Sequence, residues 1–413
     1  MRKEIETARQ QFPESIKRTP LEYNARLSAA YNCNVYLKRE DQQIVRSYKI
    51  RGAYHKISSL TQEEKLRGVV CASAGNHAQG VAFSCNMLGI KGTIFMPRTT
   101  PLQKIDRTKT FGGDAIEIQL VGDTYDESSA AAKEHCEKHN AVFVHPFNDK
   151  KTIIGQGTVA YEIIQEMEQL NKKADAIIIP IGGGGLVAGC GTYLSEYEPT
   201  IEIFGVEPAG AAGMKASLEA GEVTRLQHVD TFVDGAAVQQ VGDHAFSIAR
   251  KFLKNIITAP ENRICQTILE ALREDGIILE PAGALAIDAL HNLSSKYEGK
   301  NIICIVSGGN FDFSRLPEVQ ERALRYNGLK KYYVVQFAQR PGALREFLSV
   351  LGEDDDIIRF EYLKKSSKER GPALVGIISN KPENFIELHE RLKQQNITYE
   401  DITDNEMYYD LLI

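Results

Sequence analysis

The chain has 413 residues, of which 43% are hydrophobic and 25% charged, and its formal net charge is −6. This length exceeds what one ordinary core holds, so two or three domains are expected, and the composition excludes a disordered chain. The acidic balance, without a long basic block, argues against nucleic acid and anionic membranes as partners.

Strand-like and helix-like segments alternate through the first three quarters of the chain. Strands are predicted at 34–38, 68–72, 92–96, 114–118, 141–144, 176–180, 202–206 and 302–306. Helices are predicted at 52–60, 78–88, 125–139, 158–168 and 186–197, and a further helix carries Lys104 and Arg107. This alternation is typical of an α/β protein in which helices cover both faces of parallel sheets.

The pattern changes after residue 328. Strands are predicted at 331–338, 356–364, 373–379 and 407–413, and helices at 341–351 and 382–395. The order βαββαβ is that of a ferredoxin-like unit, so we expect one domain at 1–328 and a second at 329–413. Because the edges of such a small sheet often pair with another copy, a homo-oligomer is expected, either a dimer or a tetramer.

Two separate features indicate a cofactor. Lys49 stands at a predicted loop-to-helix junction, where a helix N-terminus disfavours the ammonium form. Far along the chain, the strand 176–180 opens through four glycines, 182–185, into a helix, an arrangement that binds phosphate. A single lysine at a helix start is more often a solvated surface residue. Together, however, the two features suit pyridoxal 5′-phosphate (PLP), which carries an aldehyde and a phosphate.

The glycine run has a second interpretation. Gly183-x-Gly185-x-x-Ala188 also fits a relaxed dinucleotide fingerprint, and Glu207 lies near the spacing expected for a ribose ligand. The run alone therefore leaves both cofactors open, although consecutive amides suit a terminal phosphate somewhat better.

Two further loops follow predicted strands. The loop 73–80 follows the strand 68–72, and its small residues allow backbone amides to close around a carboxylate. The loop 307–310 follows the strand 302–306, at the edge where ligands of parallel sheets bind. Each loop alone could be an ordinary turn.

As a set, these segments resemble the biosynthetic threonine dehydratases among the tryptophan-synthase-β-like (fold type II) PLP enzymes. The resemblance covers nearly the whole chain, and the motifs that carry it are 37–42, 47–52, 73–80, 182–186, 280–284 and 307–310. The segments 339–347 and 371–376 are similar to a single ACT-like regulatory domain. The resemblance implies a two-lobed catalytic region, with the smaller lobe at about 50–150 inserted in the larger, followed by the regulatory domain.

The resemblance also implies a role for individual residues. Lys49 would bind the cofactor covalently and move the Cα proton, Tyr48 would pack on the ring and Ser307 would face the pyridine nitrogen. Asn76 would donate to the 3′ oxygen of the ring. The phosphate would be bound by Gly182, Gly183, Gly184, Gly185 and Leu186. The substrate carboxylate would be bound by Ser73, Ala74, Gly75, Asn76 and His77.

The implied reaction is the deamination of L-threonine to 2-oxobutanoate and ammonia, the first step of isoleucine synthesis. A neutral serine opposite the pyridine nitrogen leaves the ring unprotonated, which suits loss of a β-hydroxyl better than transamination. Isoleucine or valine is a possible effector of the C-terminal domain. Two alternatives stay open: an L-serine dehydratase or racemase, although such enzymes usually lack this domain, and an amino-acid sensor with a vestigial catalytic half.

No metal site is predicted. Some relatives that act on serine hold a divalent cation through Glu-x-x-x-Ala-x-Asp; here Glu207 and Ala211 match, but Gly213 stands at the third position. A monovalent cation near Glu207 is left open. The seven cysteines contain no CxxC pair, so neither a zinc site nor a disulfide framework is predicted. The charged N-terminal segment is not typical of a secretion signal, so a cytoplasmic protein is expected.

Overall fold

A computed structural model describes residues 1–293, 295–362, 369–405, 407, 408 and 411. The chain forms two compact units, Met1–Asp312 and Phe313–Ile413. The helix Leu316–Tyr326 thus belongs to the second unit, whereas the boundary expected from the sequence follows this helix at residue 328. The domain limits 1–328 and 329–413 stay a prediction.

The first unit consists of strands that alternate with helices. Its strands are β1 (Leu21–Tyr23), β2 (Asn34–Arg39), β3 (Val69–Ala72), β4 (Gly92–Met96), β5 (Ile116–Leu120), β6 (Val142–Phe143), β7 (Ala176–Pro180), β8 (Glu202–Pro208), β9 (Asn255–Ala259) and β10 (Asn301–Val306). Its helices are α1 (Arg2–Gln10), α2 (Ala25–Tyr31), α3 (Lys49–Ser58), α4 (Gln62–Arg67), α5 (Asn76–Leu88), α6 (Leu102–Gly112), α7 (Tyr125–His139), α8 (Lys150–Gln169), α9 (Gly185–Tyr197), α10 (Gly213–Ala220), α11 (Asp243–Ala249), α12 (Glu261–Glu274) and α13 (Pro281–Asp288).

These strands form two sheets. The larger has the order β1-β2-β10-β7-β8-β9, and all its neighbours are parallel except the antiparallel edge pair β1–β2. The smaller has the order β5-β4-β3-β6 and is entirely parallel. All five residues of β7 are buried, as expected of a strand covered by helices on both faces. The two largely parallel sheets confirm the predicted α/β architecture. The strands of the smaller sheet lie between β2 and β7 in the chain.

Helices α3 and α9 each pack closely against α8 near its N-terminal end. A Cβ added to Gly155 of α8 would lie 2.5 Å from the Arg51 carbonyl oxygen of α3. A Cβ added to Gly189 of α9 would lie 2.3 Å from the Ile153 carbonyl oxygen of α8. Because these contacts exclude side chains, the glycines bring the starts of α3 and α9 against the same stretch of α8. Those two starts carry Lys49 and the end of the glycine run.

The second unit has the predicted βαββαβ order, preceded by one helix. Its elements are α14 (Leu316–Tyr326), β11 (Lys330–Ala338), α15 (Ala343–Leu348), β12 (Asp356–Tyr362), β13 (Arg370–Ile378), α16 (Glu383–Gln394) and β14 (Thr398–Asp401). The strands form an antiparallel sheet in the order β12-β13-β11-β14, which confirms the ferredoxin-like prediction. Its core includes Val335, Val375 and Leu388.

The prediction of the last strand was wrong. The strand that closes the sheet is β14 rather than 407–413, since Tyr399 of β14 packs against the rings of Tyr333 and His389. Residues 407, 408 and 411 are helical, and 409, 410, 412 and 413 lie outside the described residues. Within the described part of the chain, no helix is both long and apolar enough to cross a membrane.

Candidate active site

Lys49 is the first residue of α3 and is half-buried. Its Nζ donates to the Pro146 carbonyl oxygen at 3.4 Å, a long distance for a hydrogen bond. Burial lowers the pKa of the Lys49 amine to about 8, although the Glu280 carboxylate acts in the opposite direction. A lysine that attacks an aldehyde must be neutral, so this shift favours the predicted chemistry.

The four glycines connect β7 to α9 and leave no room for side chains. Gly184 has φ +91°, in the left-handed region that favours glycine. A Cβ added to Gly183 would lie 2.2 Å from Cγ of Phe147, so it would overlap the Phe147 ring. Amides of the first turn of a helix have no intrahelical partner, so the run presents unpaired donors to an anion.

The lysine and the glycine run lie against the same segment. Lys49 donates to Pro146, and the next residue, Phe147, packs its ring against Gly183. This segment follows β6 at the carboxyl edge of the smaller sheet. The sequence interpretation missed Pro146 and Phe147, although their position after a predicted parallel strand was a usable signal.

The loops 73–80 and 307–310 also reach this site. The Tyr48 amide donates to the Ser307 carbonyl oxygen at 3.2 Å, and Ser47 forms an antiparallel bridge with Gly308. On the other side, a Cβ added to Gly80 would lie 3.2 Å from the backbone of Lys49 and Ile50. The structure therefore brings the four predicted motifs together.

The predicted carboxylate loop forms the turn between β3 and α5. The Ser73 amide donates to the Phe95 carbonyl oxygen at 3.0 Å, and Ser73 Oγ accepts from the Gly75 amide at 3.2 Å. A Cβ added to Gly75 would meet no atom within 4 Å, so space is open beside the loop next to Ala74. His77 Nε2 lies 2.8 Å from the Val144 carbonyl oxygen, and burial lowers the pKa of His77 to about 3. Burial thus favours the neutral form of His77, and its side chain contacts the residue that follows β6.

Asn76, the first residue of α5, belongs to a hydrogen-bonded cluster. Its Nδ2 donates to Glu280 Oε1 at 2.7 Å, and its Oδ1 accepts from Asn310 Nδ2 at 2.7 Å. Burial raises the pKa of the Glu280 carboxyl to about 7. The sequence interpretation assigned no role to Glu280, since nothing near it in the chain reveals its contact with Asn76.

Ser307 follows β10 and is 3% exposed. Its hydroxyl donates to the Ala282 carbonyl oxygen at 3.2 Å, which is long for a hydroxyl donor. The Tyr48 ring centroid lies 5.4 Å from Lys49 Nζ, and burial raises the pKa of the Tyr48 hydroxyl. Tyr48 thus lies beside the lysine, and Ser307 contacts Tyr48 through its backbone carbonyl.

These residues fit PLP. Buried polar atoms without a hydrogen-bond partner among the described residues include Ser47 Oγ, His77 Nδ1 and Asn310 Oδ1, and all three belong to the motifs. Buried polar atoms are normally paired, so such atoms indicate a site that a ligand completes. The amine of Lys49 and the amides of the glycine run match an aldehyde and a phosphate, respectively.

The dinucleotide interpretation fits less well. Glu207, the expected ribose ligand, is fully buried and accepts from the Met214 and Lys215 amides at 2.7 and 2.9 Å. Both carboxylate oxygens are thus engaged at the start of α10. Among the described residues, no group of three or more histidine, cysteine and acidic side chains is arranged to hold a metal ion.

Comparison with known proteins places the chain in a family. Residues 13–308 match the model of the pyridoxal-phosphate dependent enzymes, and residues 321–412 match the C-terminal regulatory domain of threonine dehydratase. The chain is 50% identical to an L-threonine dehydratase biosynthetic IlvA of Halalkalibacterium halodurans over 99% of this chain and 98% of that protein. The chain belongs to the biosynthetic threonine dehydratases.

Solved structures of related enzymes are similar to this one. Threonine deaminase isoform 2 of Solanum lycopersicum, in its processed form, has a TM-score of 0.73 and 40% identity over 77% of this chain and 92% of that chain. Maize serine racemase has a TM-score of 0.71 and 31% identity over 79% of this chain and 98% of that chain. Members of this family depend on PLP, and the predicted fold type II with a C-terminal regulatory domain is confirmed.

Proposed function

We propose that this chain is a threonine ammonia-lyase that uses PLP to convert L-threonine to 2-oxobutanoate and ammonia in isoleucine synthesis. The observation that carries the proposal is the Lys49 amine, whose pKa is lowered to about 8 at a site that it shares with the glycine run. Full-length similarity to biosynthetic threonine dehydratases and the matched regulatory domain support it over the racemase and sensor alternatives.

Separate sets of residues are proposed to bind the aldehyde and ring of the cofactor and its phosphate. Lys49 would bind the aldehyde, Tyr48 would border the ring, Asn76 would donate to the 3′ oxygen and Ser307 would face the pyridine nitrogen. The phosphate-binding residues are Gly182, Gly183, Gly184, Gly185 and Leu186. The bound cofactor supplies an electron sink that makes the Cα proton of the substrate acidic and permits loss of the β-hydroxyl.

The chain itself holds the substrate and moves the proton. The substrate carboxylate binds to backbone amides of the loop 73–77 at the start of α5, where the helix dipole favours an anion. Because His77 is neutral, it adds no charge to that subsite. After the substrate amine has replaced it at the aldehyde, Lys49 Nζ would accept the proton from Cα, for which its lowered pKa is suited.

The test is formation of 2-oxo acids from L-threonine and L-serine by the wild type and by Lys49→Ala. Lys109→Ala, which alters an exposed lysine of α6, is the matched control. We expect 2-oxobutanoate from the wild type and the control and none from Lys49→Ala. Product from serine alone would favour a serine dehydratase, and racemised serine without oxo acid would favour a racemase. Absence of any turnover by PLP-loaded wild type would contradict the enzyme assignment.

The regulatory domain is proposed to bind an amino-acid effector, isoleucine or valine. Isoleucine should suppress turnover by the full chain, and a chain that ends at residue 328, if it remains active, should not respond. The protein is further proposed to be cytoplasmic. It is also proposed to be a homo-oligomer, because the edges of the sheet β12-β13-β11-β14 can pair with another copy. Light scattering of the full chain measures its mass, and a monomer would contradict this proposal.

A further inference from the structure

The side-chain amide of Asn76 is held on both sides. Asn310 Nδ2 donates to Asn76 Oδ1, and Asn76 Nδ2 donates to Glu280 Oε1, each at 2.7 Å. The three residues come from three separate segments of the chain, and Asn76 and Glu280 lie 204 positions apart. Both hydrogen bonds are short for an N–H donor.

The orientation of the Asn76 amide follows from a backbone carbonyl. Asn310 Nδ2 also lies 2.9 Å from the Val45 carbonyl oxygen and 3.2 Å from Gln79 Oε1. A carbonyl oxygen only accepts, so the Asn310 atom that faces it must be the NH₂ group. The Asn76 atom that faces the same group must then be its oxygen. The NH₂ group of Asn76 consequently faces Glu280, which accepts one of its two hydrogens.

Glu280 has little freedom to leave this contact. It is 6% exposed, and it precedes α13 without capping that helix with its side chain. A Cβ added to Gly308 would lie 2.2 Å from Glu280 Oε1 and 3.3 Å from Asn76 Nδ2. A Cβ added to Gly283 would lie 2.0 Å from the Gly308 carbonyl oxygen, so the start of α13 is packed tightly against the loop 307–310.

We propose that Glu280 and Asn310 are positioning residues that fix the Asn76 amide, so that its second N–H is directed to the 3′ oxygen of the cofactor ring. The inference rests on the PLP-binding residues proposed above. Neither residue acts on the substrate. Their effect is to prevent the Asn76 amide from turning over, which would replace the donor by an oxygen.

The test compares binding of PLP and of 3-deoxypyridoxal 5′-phosphate, which lacks the 3′ oxygen, to the apoprotein. The variants are Glu280→Leu, which removes the acceptor, Glu280→Gln, whose amide oxygen retains it, and Asn310→Leu. Glu219→Gln is the control, because it makes the same change at an exposed glutamate of α10. Fluorescence titration gives the Kd, and absorbance gives the spectrum of the bound cofactor.

We expect Glu280→Leu and Asn310→Leu to weaken PLP binding about tenfold, the value of one hydrogen bond, and to shift its absorbance maximum. Binding of the deoxy analogue should change less than about threefold, and Glu280→Gln should restore PLP binding. Equal losses for the two ligands, or no loss for either, would overturn the proposal and leave Glu280 a structural residue. Failure of the wild type to bind PLP would instead refute the cofactor site itself.

Discussion

Arg51, two residues after Lys49 in α3, provides a sharp test of how the lysine-bearing helix is held. Its guanidinium is fully buried and donates to Glu40 and Glu162 at 2.7 to 2.8 Å. Glu162 is also paired with Lys38 and Arg9, and Arg51, Lys38 and Arg9 together hold the pKa of its carboxyl well below the usual value. We predict that Arg51→Met destabilises the protein chiefly through one carboxylate, for which Arg51 is the only cationic partner among the described residues.

That carboxylate is Glu40. Its remaining side-chain partners among the described contacts are the Thr19 hydroxyl and the Gln43 amide, both neutral. Removing one member of a buried ion pair costs about 3–5 kcal/mol, because an uncompensated charge stays in the interior. Arg51→Met should therefore lower the free energy of unfolding by about 3–5 kcal/mol, and adding Glu40→Gln should recover about 1–3 kcal/mol. Whether Glu40→Gln stabilises or destabilises the Arg51→Met variant distinguishes an unpaired charge from lost packing as the cause.

The assay is urea unfolding of the apoprotein followed by circular dichroism, for the two single variants and the double variant. Arg225→Ala is the control, since Arg225 and Asp126 form an exposed pair that should contribute less than about 1 kcal/mol. If Glu40→Gln destabilises Arg51→Met further, the unpaired carboxylate is not the cause. A loss no greater than that of the control would refute the importance of the buried network.

Three further predictions concern the site. Gly183→Ala should weaken PLP binding at least about tenfold in a fluorescence titration, because its Cβ would overlap Phe147 at 2.2 Å, whereas Gly213→Ala, with 3.5 Å available, should not. The rate of PLP uptake by the apoprotein, followed by stopped-flow absorbance, should rise with pH and level off above about 8, where the Lys49 amine is neutral; a flat profile would contradict this pKa. The pKa of His77 is about 3 in the folded protein and 6.5 in the unfolded chain. Protonation of His77 in the unfolded chain should therefore lower the free energy of unfolding as the pH falls from about 6.5 to about 3, by up to about 1.4 kcal/mol per pH unit. His77→Asn should reduce this slope in urea unfolding, and equal slopes would contradict the burial argument.

Elements with a strong local pattern could be predicted from the sequence. The strand Ala176–Pro180 and the helix Tyr125–His139 have the expected bounds, since an apolar run and a capped helix are local signals. The edge strand Leu21–Tyr23 was missed, because three residues carry little pattern and the strand depends on pairing with β2. The closing strand was misplaced for the same reason, since β14 is defined by its pairing with β11.

The residues of the site likewise divide into those with a local sequence signal and those whose roles depend on distant contacts. Lys49 and the glycine run could be identified because each stands at a junction between a strand or loop and a helix. Arg51 would pass for a surface arginine in the sequence, and its burial is compensated by Glu40 and by the distant Glu162. The roles of Glu280 and Phe147 likewise depend on contacts with distant segments.

The electrostatics of the site are set by the loss of water rather than by charge pairing. The Lys49 amine and the Glu280 carboxyl attract each other, and this attraction alone would stabilise both charges. Burial instead lowers the amine pKa to about 8 and raises the carboxyl pKa to about 7, so each group moves toward its neutral form. A neutral amine can accept a proton from carbon, so the shift of Lys49 is in the direction that the proposed proton abstraction needs.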